Sequence, residues 1–428
     1  MIQTLRNAWR IEEIRKKILF TLLIVLLYRI GNAIPVPFVN TVLLQQYFSY
    51  LQNTALGLLD AMSGGSFSNA TIFALSIQPY INASIIIQLL CIAIPALERM
   101  SKEEGEEGRK KIASITRYST VAIGLLQGFG YYMLMKNNGI IVADASSSVW
   151  AAIVIILTFT SGSALIMWLG EQITEFGIGN GISIILFASI ISRFPNSVIT
   201  TIQNVINGSL SWWAAVLVFL GALALIVLIV FVNDAERRIP VQYAKRVVGR
   251  KMYGGQSTHL PMKVNMSGVM PIIFAQSIAS VPATIAAFTG KTGGWVNTWF
   301  GTNSIPYAIV YLLLIIFFAY FYSTIQFNPV EVANNLKKNG GYIPGFRPGK
   351  PTSEFIQKVL NKITLFGALY LAIIAVTPIL IAHFSTQSAL TGISLGGTSI
   401  IIVVGVALET IRALEAQMLM RNYKGFLD

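Results

Sequence analysis

GLLDAMSGGSFSN (residues 57–69) stands directly ahead of a strongly apolar run, FALSIQPYINASIIIQLL (73–90). The first stretch reads as a helix too short to cross a bilayer. Gly64-Gly65 interrupts it, and Asp60 makes it too polar to face lipid. A short polar helix at membrane depth is tolerated only where protein encloses it or it lines water. Half a helix ahead of a full one therefore asks for a cavity, and the rest of the chain has to supply it.

The 428 residues are 54% hydrophobic and only 11% charged, with a mean hydropathy of +0.65. Soluble domains carry roughly 25% charged residues. Long apolar runs recur throughout, which makes this a polytopic membrane protein. The first run starts near Ile18, and no small-residue cleavage site follows it, so it reads as a retained span. The single cysteine, Cys91, lies in an apolar run and reads as a small buried hydrophobe. His259 and His383 are far apart, and no metal-ligand spacing occurs. No nucleotide motif, paired-carboxylate site or nucleophile arrangement appears. The expectation is a protein without catalysis and without a cofactor.

Windows of about 20 apolar residues place ten spans, at roughly 18–37, 72–95, 113–135, 149–169, 181–203, 212–232, 267–288, 305–327, 362–384 and 398–418. Arg193 and Pro195 interrupt the fifth. Of the 31 Lys and Arg residues, 26 fall on one side of this arrangement and 3 on the other. The positive-inside rule puts the rich side, and both termini, in the cytoplasm. Ten spans divide into five and five. An odd number per half makes the second half enter from the opposite face, so repeated halves would be inverted. The expected fold is an all-α membrane protein of two such halves. Its segments are a cytoplasmic N-terminus (1–17), a first half (18–206), a second half (207–420) and a cytoplasmic tail (421–428).

Two cytoplasmic loops, 233–265 and 328–361, are longer than a connection needs. Both are basic and rich in turn residues. One reading is topology signals attracted to anionic lipid. The other is docking, because Val241, Tyr243, Tyr253, Tyr342, Ile343 and Phe346 are apolar or aromatic where a solvated linker needs neither. The GG-x-x-P-G-x-R-P-G run (340–349) is turn chemistry that holds Arg347 in place for a carboxylate or phosphate partner. Arg246, Arg250 and Lys251 suit an RNA backbone.

The spans hold almost no ionisable group near the bilayer midplane, where an ion-coupled transporter needs them. They do hold amides: Asn82, Gln88 and Gln127, with Asn265 at the start of span 7. These fit either static interhelical hydrogen bonds or a seam able to open. Ile77 with Ile81, and Ile182 with Leu186, stand four apart on helical faces that are most simply core or lipid-facing.

FALSIQPYINASIIIQLL (73–90) and WLGEQITEFGIGNGISIILFASI (168–190) closely resemble the two signature segments of the SecY/Sec61 alpha family. The likeness continues through 243–275, 327–349 and 396–404, and runs from about Lys16 to Tyr423. It implies an hourglass channel between two clamped halves, through which unfolded secretory polypeptides cross the bacterial plasma membrane and transmembrane segments leave sideways. The pore ring would be Ile77, Ile81, Ile182, Leu186, Ile273 and Ile402. The short element at 57–67 would be the plug of the outer funnel, with Gly57, Asp60, Met62 and Phe67 in it and Gly64 and Gly65 as its hinge. The lateral gate would lie between spans 2 and 7, beside 3 and 8, with Asn82, Gln88, Gln127 and Asn265 at its polar positions. Arg238, Lys245, Arg246, Arg250, Lys251 and Arg347 would meet the ATPase SecA or the ribosome. SecE and SecG would complete the assembly, with a signal-bearing polypeptide as substrate and lipid around it. The competing function is an inverted-repeat secondary transporter.

Overall fold

A computed structural model describes residues 2–51, 55–102, 104–142, 148–208, 211–243, 246–248, 251–253, 257–288, 299, 301, 304–384 and 396–424. Helices dominate. In the first half they are α1 (Ile2–Arg10), α2 (Glu12–Gly31), α3 (Thr41–Tyr50), α4 (Ala55–Met62), α5 (Gln78–Ala93), α6 (Pro95–Lys102), α7 (Gly105–Asn137), α8 (Val149–Phe176), α9 (Gly181–Ile191) and α10 (Phe194–Ile206). In the second half they are α11 (Trp212–Asp234), α12 (Met270–Phe288), α13 (Ile305–Gln326), α14 (Pro329–Lys338), α15 (Lys350–Phe384) and α16 (Gly396–Lys424). Each apolar window read from the sequence falls on a helix. Among the described residues five helical stretches, α8, α9 taken with α10, α11, α13 and α15, are long and apolar enough to cross a membrane, and α5 and α12 are apolar but shorter.

The local chemistry sets the helix ends. Asn180 caps α9 by accepting from the Ile182 and Ser183 amides, and Ser304 caps α13 through the Tyr307 amide. Pro79 sits in the first turn of α5, where its missing N–H costs nothing. Three sequence boundaries shift for physical reasons. The first window loses its last six residues, because α2 ends at Gly31 and the chain turns before Pro35 and Pro37. The fifth window is broken: α9 ends at Ile191, and α10 restarts at Phe194 with Pro195 in its first turn. The second window loses its first six residues, because 72–77 are turns and α5 begins only at Gln78.

The two halves meet along two seams. On one, α12 packs against α5 and α7. On the other, α16 packs against α9 and α2, while α10 follows into α11. Between the seams lies one buried apolar cluster that draws on helices of both halves.

The long loops are not loops throughout. Residues Glu236–Tyr243 (β1) and Ser257–Lys263 (β4) pair antiparallel, from Glu236 opposite Lys263 to Gln242 opposite Ser257. The short strands Arg246–Val248 (β2) and Lys251–Tyr253 (β3) pair antiparallel with each other. Gly341–Tyr342 (β5), from the second loop, adds to the other edge of β1. Ile239, Val241 and Met262 then bury against Leu336, Ile343, Ile356 and Leu360. The two basic loops thus share one small hydrophobic core.

Candidate functional site

The six aliphatic residues singled out by the sequence come from four helices and meet in one cluster. Ile77, the N-terminal cap of α5, is fully buried, and Ile81 one turn later is 3% exposed. Leu186 of α9, Ile273 of α12 and Ile402 of α16 are equally enclosed, and Ile182 of α9 packs against them half-buried. Three further residues of the cluster, Ile185, Ile272 and Ile401, are each the chain neighbour of a ring position.

Packed against this cluster is the segment that raised the first question. Its helix is shorter than the 57–67 read from the sequence. It ends at Met62, and turns run on to Ile77, broken at Thr71 by an antiparallel bridge to Pro35. Eight residues at 1.5 Å each make a stub of about 12 Å, well under half a hydrocarbon core. Gly64 and Gly65 both have positive φ, 71° and 88°. At Gly64 a Cβ would come within 2.7 Å of the Ser189 carbonyl, so only glycine fits that turn. α4 packs on α9 and α12. Gly57 is buried, and Met62 belongs to the same cluster as Ile77 and Ile81. Phe67 sits in a second cluster, stacked on Tyr131 at 4.1 Å and edge-on to Phe48 at 5.4 Å. The Tyr131 hydroxyl donates to the Phe67 carbonyl.

Asp60 explains why the stub is polar. Its carboxylate is buried, accepts the Ser68 amide at 2.7 Å and takes Arg193 at 2.6 Å. Arg193 is the residue that breaks the fifth window, so the two polar anomalies of the sequence are partners. Sequence reading missed this pair, although an arginine and an aspartate each stranded in apolar surroundings were the available signal. It also missed Tyr131, which sits unremarked in an aromatic stretch of α7.

The amides at the first seam divide. Gln88 of α5 accepts from Tyr322 of α13 at 3.2 Å and donates to Ser84. Gln78, at the start of α5, accepts from Ser277 of α12 at 3.4 Å. Asn82 and Gln127 are half-buried on α5 and α7. Asn265 does not reach across. It donates to Asn233 at 2.8 Å, an interaction within the second half. The crossing contacts of Gln78, Ser277 and Tyr322 were not singled out from the sequence.

At the loop core, Arg347 is exposed on a turn with Gly345 and Gly349 at φ of 88° and 106°. The Arg347 carbonyl accepts Thr352 Oγ1 at 2.8 Å, and the neighbouring Phe346 stacks on Phe355 at 4.2 Å. Arg238 is exposed but pairs with Glu236 at 2.7 Å. Arg246 and Lys251 lie on β2 and β3, while Lys245 and Arg250 fall outside the described residues. On the same side, Arg412 holds Asp234 at 2.6 Å and the Asn233 carbonyl at 2.7 Å. Burial, with the nearby Arg412 charge, lowers the pKa of Lys263. Among the described residues no cluster of His, Cys, Asp or Glu is placed to hold a metal ion.

Residues 71–411 match the SecY family model. The chain belongs to the SecY family. SecY-family relatives described as protein translocase subunit SecY share 45% identity with it in Streptomyces coelicolor and 43% in Mycobacterium tuberculosis, each over all of both chains. Its fold matches a solved protein-conducting channel at TM-score 0.67 and 18% identity, over 94% of this chain and 92% of the other. A SecY structure described for a plug domain that stabilises the closed channel matches at 0.68 and 16%, with the same coverage of each chain. Sec61 from the canine ribosome–channel complex matches at 0.63 and 17%, again over 94% and 92%. This SecY-family membership leaves the transporter reading without support.

Proposed function

We propose that the chain is the pore of a membrane protein translocase, and that the conformation described here is its sealed state. The observation that carries this reading is the meeting of Ile77, Ile81, Leu186, Ile273 and Ile402 inside one buried cluster that also takes in Met62 of the short stub. Aliphatic side chains deform around different residues and hold no water, so an unfolded chain passes while ions do not. Residues 55–67 act as the plug. The seam of α12 with α5 and α7 acts as the lateral gate, through which a sufficiently apolar segment partitions into lipid and a charged one does not.

The shared core of the two loops acts as the docking platform, with both termini on its cytoplasmic side. Its rigid presentation of Arg347 suits a motor such as SecA, and its basic ribbon suits ribosomal RNA. SecE and SecG would complete the complex. The energy comes from such partners.

The test is photocrosslinking in the assembled complex. A photoreactive residue at Ile81 is expected to capture a secretory precursor arrested in transit, and deletion of 57–67 is expected to raise the ion conductance of reconstituted vesicles. No capture at Ile81 together with unchanged conductance would overturn the assignment.

A further inference from the structure

We propose that Gln78 sets how apolar a segment must be to open this channel, by tying the stub to the lateral seam through one side-chain amide. The proposal rests on the channel reading above. Gln78 is 8% exposed and stands next to Ile77 at the start of α5. Its Nε2 donates to Met62 Sδ at 3.3 Å, and its Oε1 accepts from Ser277 Oγ of α12 at 3.4 Å. Met62 and Ser277 are themselves 4% and 3% exposed, so water does not compete at either end.

The orientation of the amide follows from its partners. A thioether can only accept, whereas a serine hydroxyl can do either. The NH2 must therefore face the sulfur and the oxygen must face Ser277, and only that arrangement makes both bonds. Both bonds are long and weak one by one, but their geometry is reciprocal. Parting α5 from α12 breaks the Ser277 bond, and moving the stub breaks the Met62 bond. Once either partner leaves, an amide placed for two bonds keeps one while still enclosed. The closed state thus carries polar groups at the junction of constriction, stub and seam, and an entering apolar segment has to offset their links before the helices part.

The magnitude is that of one neutral hydrogen bond, about a fivefold change in the ratio of closed to open channels. On the biological insertion scale that equals about two leucine-class residues in the entering segment.

The experiment uses the full complex in vesicles, with a series of precursors whose signal segments carry decreasing numbers of leucines. Gln78→Met keeps length and flexibility without an amide, and is expected to admit precursors about two leucines shorter while raising resting conductance about fivefold. Met62→Leu and Ser277→Ala are expected to be non-additive with Gln78 present and additive in Gln78→Met. An unchanged leucine threshold in Gln78→Met, or additive single effects with Gln78 present, would overturn the proposal. Thermal melting of each complex separates misfolding from gating, and Gln78→Leu repeats the comparison if the methionine variant melts early. Loss of precursor transport by the wild-type complex would instead indict the channel reading itself.

Discussion

The contact between Asp60 and Arg193 makes the sharpest prediction. Asp60 is buried, while the Arg193 side chain is 39% exposed. Truncating one member of a fully buried ion pair costs about 3–5 kcal/mol, and an exposed pair contributes about 0.2–1 kcal/mol. Half-exposure of the arginine places this pair between those limits, at about 2 kcal/mol. Arg193→Ala leaves the Asp60 carboxylate enclosed with the Ser68 amide as its remaining donor. Displacement of the stub into a hydrated funnel relieves that strain, so the variant should shift the closed-to-open ratio roughly 30-fold toward open. The assay is resting ion conductance of the reconstituted complex, with accessibility of a cysteine introduced at Ser66 to a membrane-impermeant thiol reagent as the second readout. Asp60→Asn in the Arg193→Ala background should recover most of the loss, because a neutral amide needs no counter-charge while still accepting from Ser68. A double variant as leaky as Arg193→Ala alone would show that the charge pair is not what holds the stub. Wild-type conductance and wild-type thiol accessibility in Arg193→Ala would refute the reasoning outright.

Three further outcomes test other parts of the molecule. Ile356→Ala empties a fully buried position under both basic loops, so it should destabilise that platform by about 2–5 kcal/mol and weaken motor binding without altering resting conductance, read by proteolysis of the loops and by pull-down. Arg347→Glu should abolish motor-driven export while leaving membrane assembly of the channel intact, read by precursor translocation beside an assembly assay. The pKa of Lys263 is lowered by burial and by Arg412, so the folded protein binds fewer protons there than the unfolded chain between the lowered value and the ordinary lysine value. Stability should therefore rise with pH through that window, and Lys263→Met should flatten the rise, as measured by thermal unfolding in detergent.

How much of this was legible depended on the kind of force involved. The hydropathy windows overlap helices along the chain, because burial in lipid acts on whole 20-residue averages and a shift of a few residues does not change the average. It failed at 72–77 and at 57–67, where turns replace the expected helix. There the controlling interactions are local and polar: Ser63 Oγ accepts the Phe67 amide, Ser66 Oγ returns to the Ser63 carbonyl, and the Gly65 amide returns to the Asp60 carbonyl. Such bonds compete with helix only over short distances, and averaging removes them. The loop platform was half legible. Its aromatic and β-branched residues and its glycine turns were visible, but the pairing of β1 with β5 joins residues about a hundred apart, and no local pattern reports that.

The candidate site divides along the same line. Its apolar half was available from resemblance and proved to be one cluster, since aliphatic residues with no other use pack wherever the helices converge. Part of its polar half was visible as anomalies: an aspartate in a stub too short to span and an arginine in a span. The glutamine beside the ring carried no such signal. Asp60 pairs with Arg193 across 133 positions, and Gln78 reaches Ser277 across 199. A buried polar group is stable only with its partner in place, which makes each of these contacts conditional on the arrangement of the helices around it. Aliphatic side chains can repack against new neighbours as helices slide. A doubly bonded amide or a hydrogen-bonded charge pair needs its particular partners in one geometry. On the proposed reading the aliphatic cluster makes the seal, and the scattered polar contacts are what opening has to break.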